Sequence, residues 1–324
     1  MKYLVLLIGL LALSIFYIQF ASRYGIVDKP NNRSSHSNET IRGGGIIFPV
    51  SALSWFIYAG FQFPLFFTGL IIIGTISFWD DLSQVSPKLR LMVHMGALLL
   101  LFAEIPNIRD QFPWWSWVPV LILSTWIINA YNFMDGINGI TGGYSLAVLT
   151  GIWIVNNYQI EFISNELIYF LVISIVVFTW FNFRTTAKCF AGDVGSISIA
   201  YIIVFLLAKL IIQSGNWIYI LFLSLYGVDT GFTIIHRIIQ KENIFMAHRK
   251  HLYQLLTHEL KFSHLKVAAL YTIVQLMICL IIIMVSVKHK TNLSNLITGA
   301  SILGIMAFIF HWIKYLINGK VIRL

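Results

Sequence analysis

The stretch Phe66-Phe67-Thr68-Gly69-Leu70-Ile71-Ile72-Ile73-Gly74-Thr75-Ile76-Ser77-Phe78-Trp79-Asp80-Asp81 decides the reading of this chain. An apolar, isoleucine-rich run of this length reads as a helix crossing a lipid bilayer. It ends on two adjacent carboxylates. Acids inside or at the edge of a membrane are expensive and mark functional sites by default. Three more fall in similar places: Asp135 after Asn129-Ala130-Tyr131-Asn132-Phe133-Met134, Asp193 in Gly192-Asp193, and Asp229 in Val228-Asp229-Thr230. The chain has only 13 Asp and Glu in 324 residues, so this placement asks for a chemical reason.

Working outward, hydrophobic residues make up 58% of the chain and charged residues 11%. A soluble domain of this size needs a far more charged surface. The expectation is an all-α, polytopic membrane protein forming one transmembrane catalytic domain over 1–324. Eleven helices are expected at 3–21, 45–60, 64–79, 88–103, 114–130, 141–157, 165–183, 196–213, 217–235, 266–287 and 294–313. The first follows one lysine and lacks a small-residue cleavage site, so it reads as a retained helix. Cys189 and Cys279 imply no disulfide framework.

Alternating the sides puts loops 22–44, 80–90, 131–140, 184–195 and 236–265 on one face, with the tail from 314. That face carries 17 of the 22 Lys and Arg, counting Lys266 at a helix edge. The other carries Lys2, Arg109, Lys288 and Lys290, while Lys209 lies within a span. Positive charge marks the cytoplasmic side. The N-terminus is therefore expected outside and the C-terminus inside. Asp80, Asp81, Asp135 and Asp193 land on the cytoplasmic face, and Asp229 lies in the cytoplasmic half of its helix. The net charge of +9 fits this orientation together with anionic substrates and membrane lipids better than nucleic acid.

Carboxylates close together repel unless a cation holds them. Mg²⁺ takes oxygen ligands and is usually bound by one or two carboxylates plus substrate phosphates. The cations Arg42, Lys88, Arg90, His248, Arg249, Lys250 and His251 accompany the acids. Metal beside basic groups suits transfer of a phosphoryl group. Glycine turns at Gly43-Gly44-Gly45, Gly136 to Gly143 and Gly192 to Gly195 allow close approach of backbone to a ligand.

Five stretches in order, from about Asp28 to Gln254, resemble the polyprenyl-phosphate N-acetylhexosamine-1-phosphate transferases of glycosyltransferase family 4. That family includes the initiating enzymes of O-antigen and teichoic acid synthesis and the MurNAc-pentapeptide translocase. The stretches are Arg42 to Gly45, Trp79-Asp80-Asp81 with Lys88, Asn129 to Gly143, Ala187 to Ser196, and Ala247 to Gln254. The resemblance implies transfer of HexNAc-1-phosphate from a UDP-N-acetylhexosamine to undecaprenyl phosphate, with release of UMP, at a bacterial plasma membrane. Mg²⁺ is the implied cofactor, with Mn²⁺ as a substitute; a homodimer is compatible with this.

The resemblance implies Asp80, Asp81 and Asp135 as catalytic and Asp193 with Asp81 as metal ligands. It implies Arg42, Gly44, Lys88, Asn132, Asn138, Asn182, Asp229, His248, Arg249 and His251 as substrate-binding. For Asp229, flanked by Gly227 and Gly231, an interhelical hydrogen bond is the alternative. Asn138 departs from an aspartate common in the family, and Ile41 from a proline. The Ala247-His248-Arg249-Lys250-His251 form resembles the O-antigen branch, whereas the translocase carries consecutive histidines. A secondary transporter is the competing class, but the acids sit at helix ends and no inverted repeat is visible.

Overall fold

The computed structural model describes residues 1–30, 39–105, 113–243, 249–288 and 292–321. Helices dominate: α1 (Lys2–Tyr24), α2 (Ile47–Tyr58), α3 (Pro64–Leu82), α4 (Pro87–Ala103), α5 (Trp117–Met134), α6 (Ile140–Tyr158), α7 (Asn165–Asn182), α8 (Gly192–Ser214), α9 (Ser224–Ile239), α10 (Leu252–His258), α11 (His264–Lys288) and α12 (Asn292–Val321). Short 3₁₀ turns precede α2, α5 and α9. Two strand fragments, β1 (Val27–Asp28) and β2 (Thr40–Ile41), pair antiparallel.

The helix ends follow local chemistry. Gly25 and Gly215 close α1 and α8 in the left-handed conformation, which glycine adopts without steric cost. Ser86 caps α4 by accepting from Leu89 N–H at 3.3 Å, and Pro87 follows at the first helical position.

All eleven expected helices are present, and among the described residues eight spans are long and apolar enough to cross a membrane. α2, α4 and α6 do not meet that measure. α6 illustrates why: it carries Thr141, Gly142, Gly143, Tyr144, Ser145 and two asparagines, and most of it is buried against other helices. A helix sheathed in protein has no need of an all-apolar surface.

α8 is the central post. It is 83% buried over its span, against 22% for α1 and 11% for α12, so those two lie at the periphery. α2, α3, α4, α5 and α6 all pack on α8. The core around it is apolar and aromatic, with Phe66 stacked on Phe205 and Tyr201. Cys189 and Cys279 are both free.

The boundaries differ from expectation where it matters for the site. α3 runs through Asp80 and Asp81 to Leu82, and α5 runs through Asn132 to Met134. α8 starts at Gly192, so Asp193 lies in its first turn and not in a loop. α12 continues past residue 313, which puts Lys314 in a helix and not in a tail. α10 is an additional helix within 236–265, too short for hydrophobic periodicity to reveal.

Candidate active site

Residues of the five motif stretches meet at one end of the bundle, and glycine makes the meeting possible. The segment 41–45 lies along 189–191. Phe190 N–H donates to Ile41 C=O at 2.7 Å, Gly44 N–H to Phe190 C=O at 2.8 Å, and Gly45 N–H to Ala191 C=O at 3.0 Å. A Cβ on Gly195 would stand 2.7 Å from the Gly45 Cα. Gly192 sits at φ +70°, and a Cβ there would lie 2.6 Å from Asp81 Oδ2. These glycines let one backbone approach another. The expected closeness of Gly44 to a ligand is replaced by contact with Phe190 and Cys189.

Asp81 is held on both oxygens. Oδ1 accepts from Asp193 N–H at 2.9 Å and Oδ2 from Val194 N–H at 3.0 Å, so the carboxylate caps the N-terminus of α8. The helix dipole favours negative charge there. Arg42 Nε pairs with Asp81 Oδ1 at 2.6 Å, and Arg42 is itself fixed through its carbonyl, which accepts from Tyr17 O–H at 2.7 Å.

Asp193 reaches out from the same turn. Its Oδ1 meets Arg42 Nη2 at 3.1 Å and Asn132 Nδ2 at 2.9 Å, and its Oδ2 meets Arg90 Nη1 at 3.2 Å. Arg90 also pairs with Asp80, whose other oxygen accepts from Val85 N–H at 2.7 Å. Adjacent on α3, Asp80 and Asp81 therefore point to different partners, as the ~100° step of a helix requires. Three carboxyl groups share two guanidinium groups. Both arginines remain partly open, at 33% and 29% of their side-chain surface.

Asp135 follows the last turn of α5, and Thr141 O–H donates to it at 2.5 Å. Burial, opposed by that hydrogen bond and reinforced by the nearby Asp193 charge, pushes its carboxyl up to about 7. The donors that meet here are hard carboxylate oxygens of Asp193 and Asp80, both on Arg90. They fit a hard divalent cation completed by water and phosphate oxygens. Among the described residues no three acidic, histidine or cysteine side chains converge on a ready-made metal cage.

Other candidate residues serve the walls. Asn182 accepts from Gly139 N–H at 2.7 Å and donates to Cys189 C=O at 2.8 Å, tying the loop after α5 to the loop before α8. Asn138 donates to the carbonyls of Arg184 and Thr185 at 2.7 and 3.2 Å. Lys88 is exposed, and Arg90, two residues on, takes the place among the acids. Lys88 and Arg90 are equivalent as cations in a loop; only the start of α4 at Pro87 separates them.

On the opposite wall, Asp229 is fully buried. Its Oδ1 accepts from Leu252 N–H at 2.9 Å and lies 3.4 Å from His251 Nδ1, and its Oδ2 accepts from Tyr271 O–H at 2.7 Å. The interhelical alternative is thus what the geometry displays. His251 is 2% exposed and forms a capping box with Gln254 at the start of α10. Arg249 is half-buried. His248 lies outside the described residues. Tyr253 ties this wall to the first: its O–H donates to Phe133 C=O at 3.0 Å.

An apolar cavity of about 540 Å³ runs between α5, α9 and α12, lined by Trp126, Tyr131, Tyr226, Phe232, Ile235 and Leu303 among others. Gly227 and Gly231 of α9 lie against Trp126 in its wall.

Residues 63–211 match the family model described as glycosyl transferase family 4. The chain is 27% identical over 273 residues to the probable undecaprenyl-phosphate N-acetylglucosaminyl 1-phosphate transferase of Bacillus subtilis (strain 168), covering 78% of this chain and 75% of the relative. It is 25% identical over 214 residues to the undecaprenyl-phosphate alpha-N-acetylglucosaminyl 1-phosphate transferase of Escherichia coli (strain K12), covering 60% and 58%. It is 28% identical over 214 residues to the phospho-N-acetylmuramoyl-pentapeptide-transferase of Chlorobium phaeobacteroides (strain BS1), covering 52% and 58%. The chain thus spans less than two thirds of the last two. Motif order and helix architecture agree with these matches, and residues 63–211 are similar to glycosyl transferase family 4.

Proposed function

We propose that this protein transfers HexNAc-1-phosphate from a UDP-N-acetylhexosamine to undecaprenyl phosphate, releasing UMP, as the initiating step of a cell-surface polysaccharide. A phosphate oxygen of the lipid becomes bonded to the sugar-bearing phosphorus. The bond from that phosphorus to UMP breaks, and UMP leaves with the bridging oxygen. The observation that carries the reading is the cluster of Asp80, Asp81 and Asp193 around Arg42 and Arg90, in a bundle that also holds an apolar cavity between its helices. A phosphorylated lipid needs both halves: an apolar wall for its chain and charged groups for its head.

The lipid phosphate is largely a dianion at neutral pH, its second pKa being about 6 by analogy with phosphorylated side chains. A strong general base is therefore unnecessary, and the harder task is bringing two anions together. Arg42 and Arg90 supply positive charge at the point where the substrates meet. Asp81 holds Arg42 and the α8 terminus in place. Asp193, with Asp80 beside it, would hold Mg²⁺, with Mn²⁺ as substitute; bound there, the ion would neutralise charge on the diphosphate. Arg249 and the turn set by His251 and Asp229 form the nucleotide side. The matches to two N-acetylglucosaminyl 1-phosphate transferases and the His248-Arg249-Lys250-His251 form support a plain HexNAc donor over a MurNAc-pentapeptide donor.

The reaction end faces the cytoplasm of a bacterial plasma membrane in this reading, supported by the 17 Lys and Arg on that side. Single cysteines introduced beside the motif stretches should react from inside and not from outside. Purified protein given a panel of UDP-HexNAc donors, undecaprenyl phosphate and Mg²⁺ should release UMP with one donor. Silence across the panel from folded protein would refute the assignment.

A further inference from the structure

Lys314 sits in α12, the least buried spanning helix, where a lysine near a membrane surface ordinarily extends toward water. Here it turns inward. Its Nζ donates to Lys250 C=O at 2.6 Å and to Thr233 Oγ1 at 3.0 Å, and it lies 4.5 Å from the centre of the Phe310 ring. The accepting carbonyl lies in the turn between Arg249 and His251. The next N–H in that turn, Leu252, donates to Asp229, which also accepts from Tyr271 of α11. Thr233 joins the two anchors, its O–H lying 3.4 Å from Lys250 C=O and 3.5 Å from Asp229 Oδ1.

The backbone of 250–252 is thus gripped from α9 and α12, with Tyr271 of α11 holding Asp229 from behind. The Lys250 side chain is directed elsewhere, to Glu242 and Gln240. A half-buried ammonium is costly unless its donors are used, so this arrangement ties α12 to the turn and not to lipid.

We propose that Lys314 is a positioning residue for the nucleotide-sugar donor: by holding Lys250 C=O it sets the turn that presents Arg249. This rests on the donor side assigned above. It contributes nothing to the acceptor site, because the Asp80, Asp81 and Asp193 cluster is built from other elements.

The test is steady-state kinetics of the full chain in detergent with its best UDP-HexNAc donor, undecaprenyl phosphate and Mg²⁺, comparing Lys314→Met and Thr233→Val with the wild type. Loss of the charge-assisted hydrogen bonds that Lys314 makes to Lys250 C=O and Thr233 should raise donor KM roughly tenfold. kcat and acceptor KM should stay within about twofold, and UDP binding by calorimetry should weaken in parallel. Unchanged donor KM and UDP affinity in either folded variant would overturn the proposal, as would an equal rise in acceptor KM. Should Lys314→Met fail to fold, Thr233→Val decides alone. A wild-type chain that releases no UMP would instead refute the enzyme reading, and that result is read separately.

Discussion

Asp81 and Asp193 share Arg42, and their remaining partners assign them different work. Asp81 spends both oxygens on the α8 terminus and on Arg42, and its side chain is fully buried. Asp81→Ala should therefore lose stability as well as activity. It removes a helix cap and leaves Arg42 without its closest partner, a loss of about 3 kcal/mol, readable as a lower Tm in detergent. Asp193 is also buried, but its carboxyl faces the side chains of Arg42, Arg90 and Asn132. Asp193→Asn keeps the shape and should hold the Tm near wild type while lowering UMP release by roughly 10²–10³-fold or more.

Asp135 adds a pH dependence. Its carboxyl stands at about 7 when folded, against 3.8 ordinarily. A group raised on folding stabilises while protonated. Its contribution is complete below about pH 4 and is lost as pH rises through 7. The metal-free, substrate-free protein should melt progressively lower between pH 5 and 8, and Asp135→Asn should flatten that slope. An identical slope in the variant would remove Asp135 from the account.

Among elements, the decisive contact is between the 43–45 turn and the start of α8. Gly195→Ala forces a methyl onto the Gly45 backbone, and overpacking of this kind costs about 1–3 kcal/mol. Gly96→Ala in α4 is the control, because nothing lies within 4 Å of the added methyl. It should be neutral or slightly stabilising, as Ala is the better helix former. Equal Tm for both variants would contradict the interlocked backbones.

The helices themselves were legible, because apolar runs of spanning length and turn residues such as Gly215 and Pro64 are local signals. The acids were legible too, since so few occur. What the glycines touch was not, because a glycine-rich turn reads the same whether backbone or ligand comes close. Nor could a string of letters separate Arg90 from Lys88, or show that Asp229 and His251 turn inward. Those outcomes depend on where α4 and α10 begin. The inward turn of Lys314 was hidden by the same cause: α12 continues past the end of its most apolar stretch.

At the scale of the molecule, an apolar bundle carries one polar end, and the proposed reaction joins a membrane-bound acceptor to a soluble donor. The central claim is that this end performs phosphosugar transfer. The most direct measurement is UMP release from purified protein with undecaprenyl phosphate and a panel of UDP-HexNAc donors, with Mg²⁺ present or chelated, beside Asp193→Asn. The account predicts Mg²⁺-dependent release with one donor, lost in the variant. Release that persists in Asp193→Asn, or none from folded wild-type protein with any donor, would contradict it.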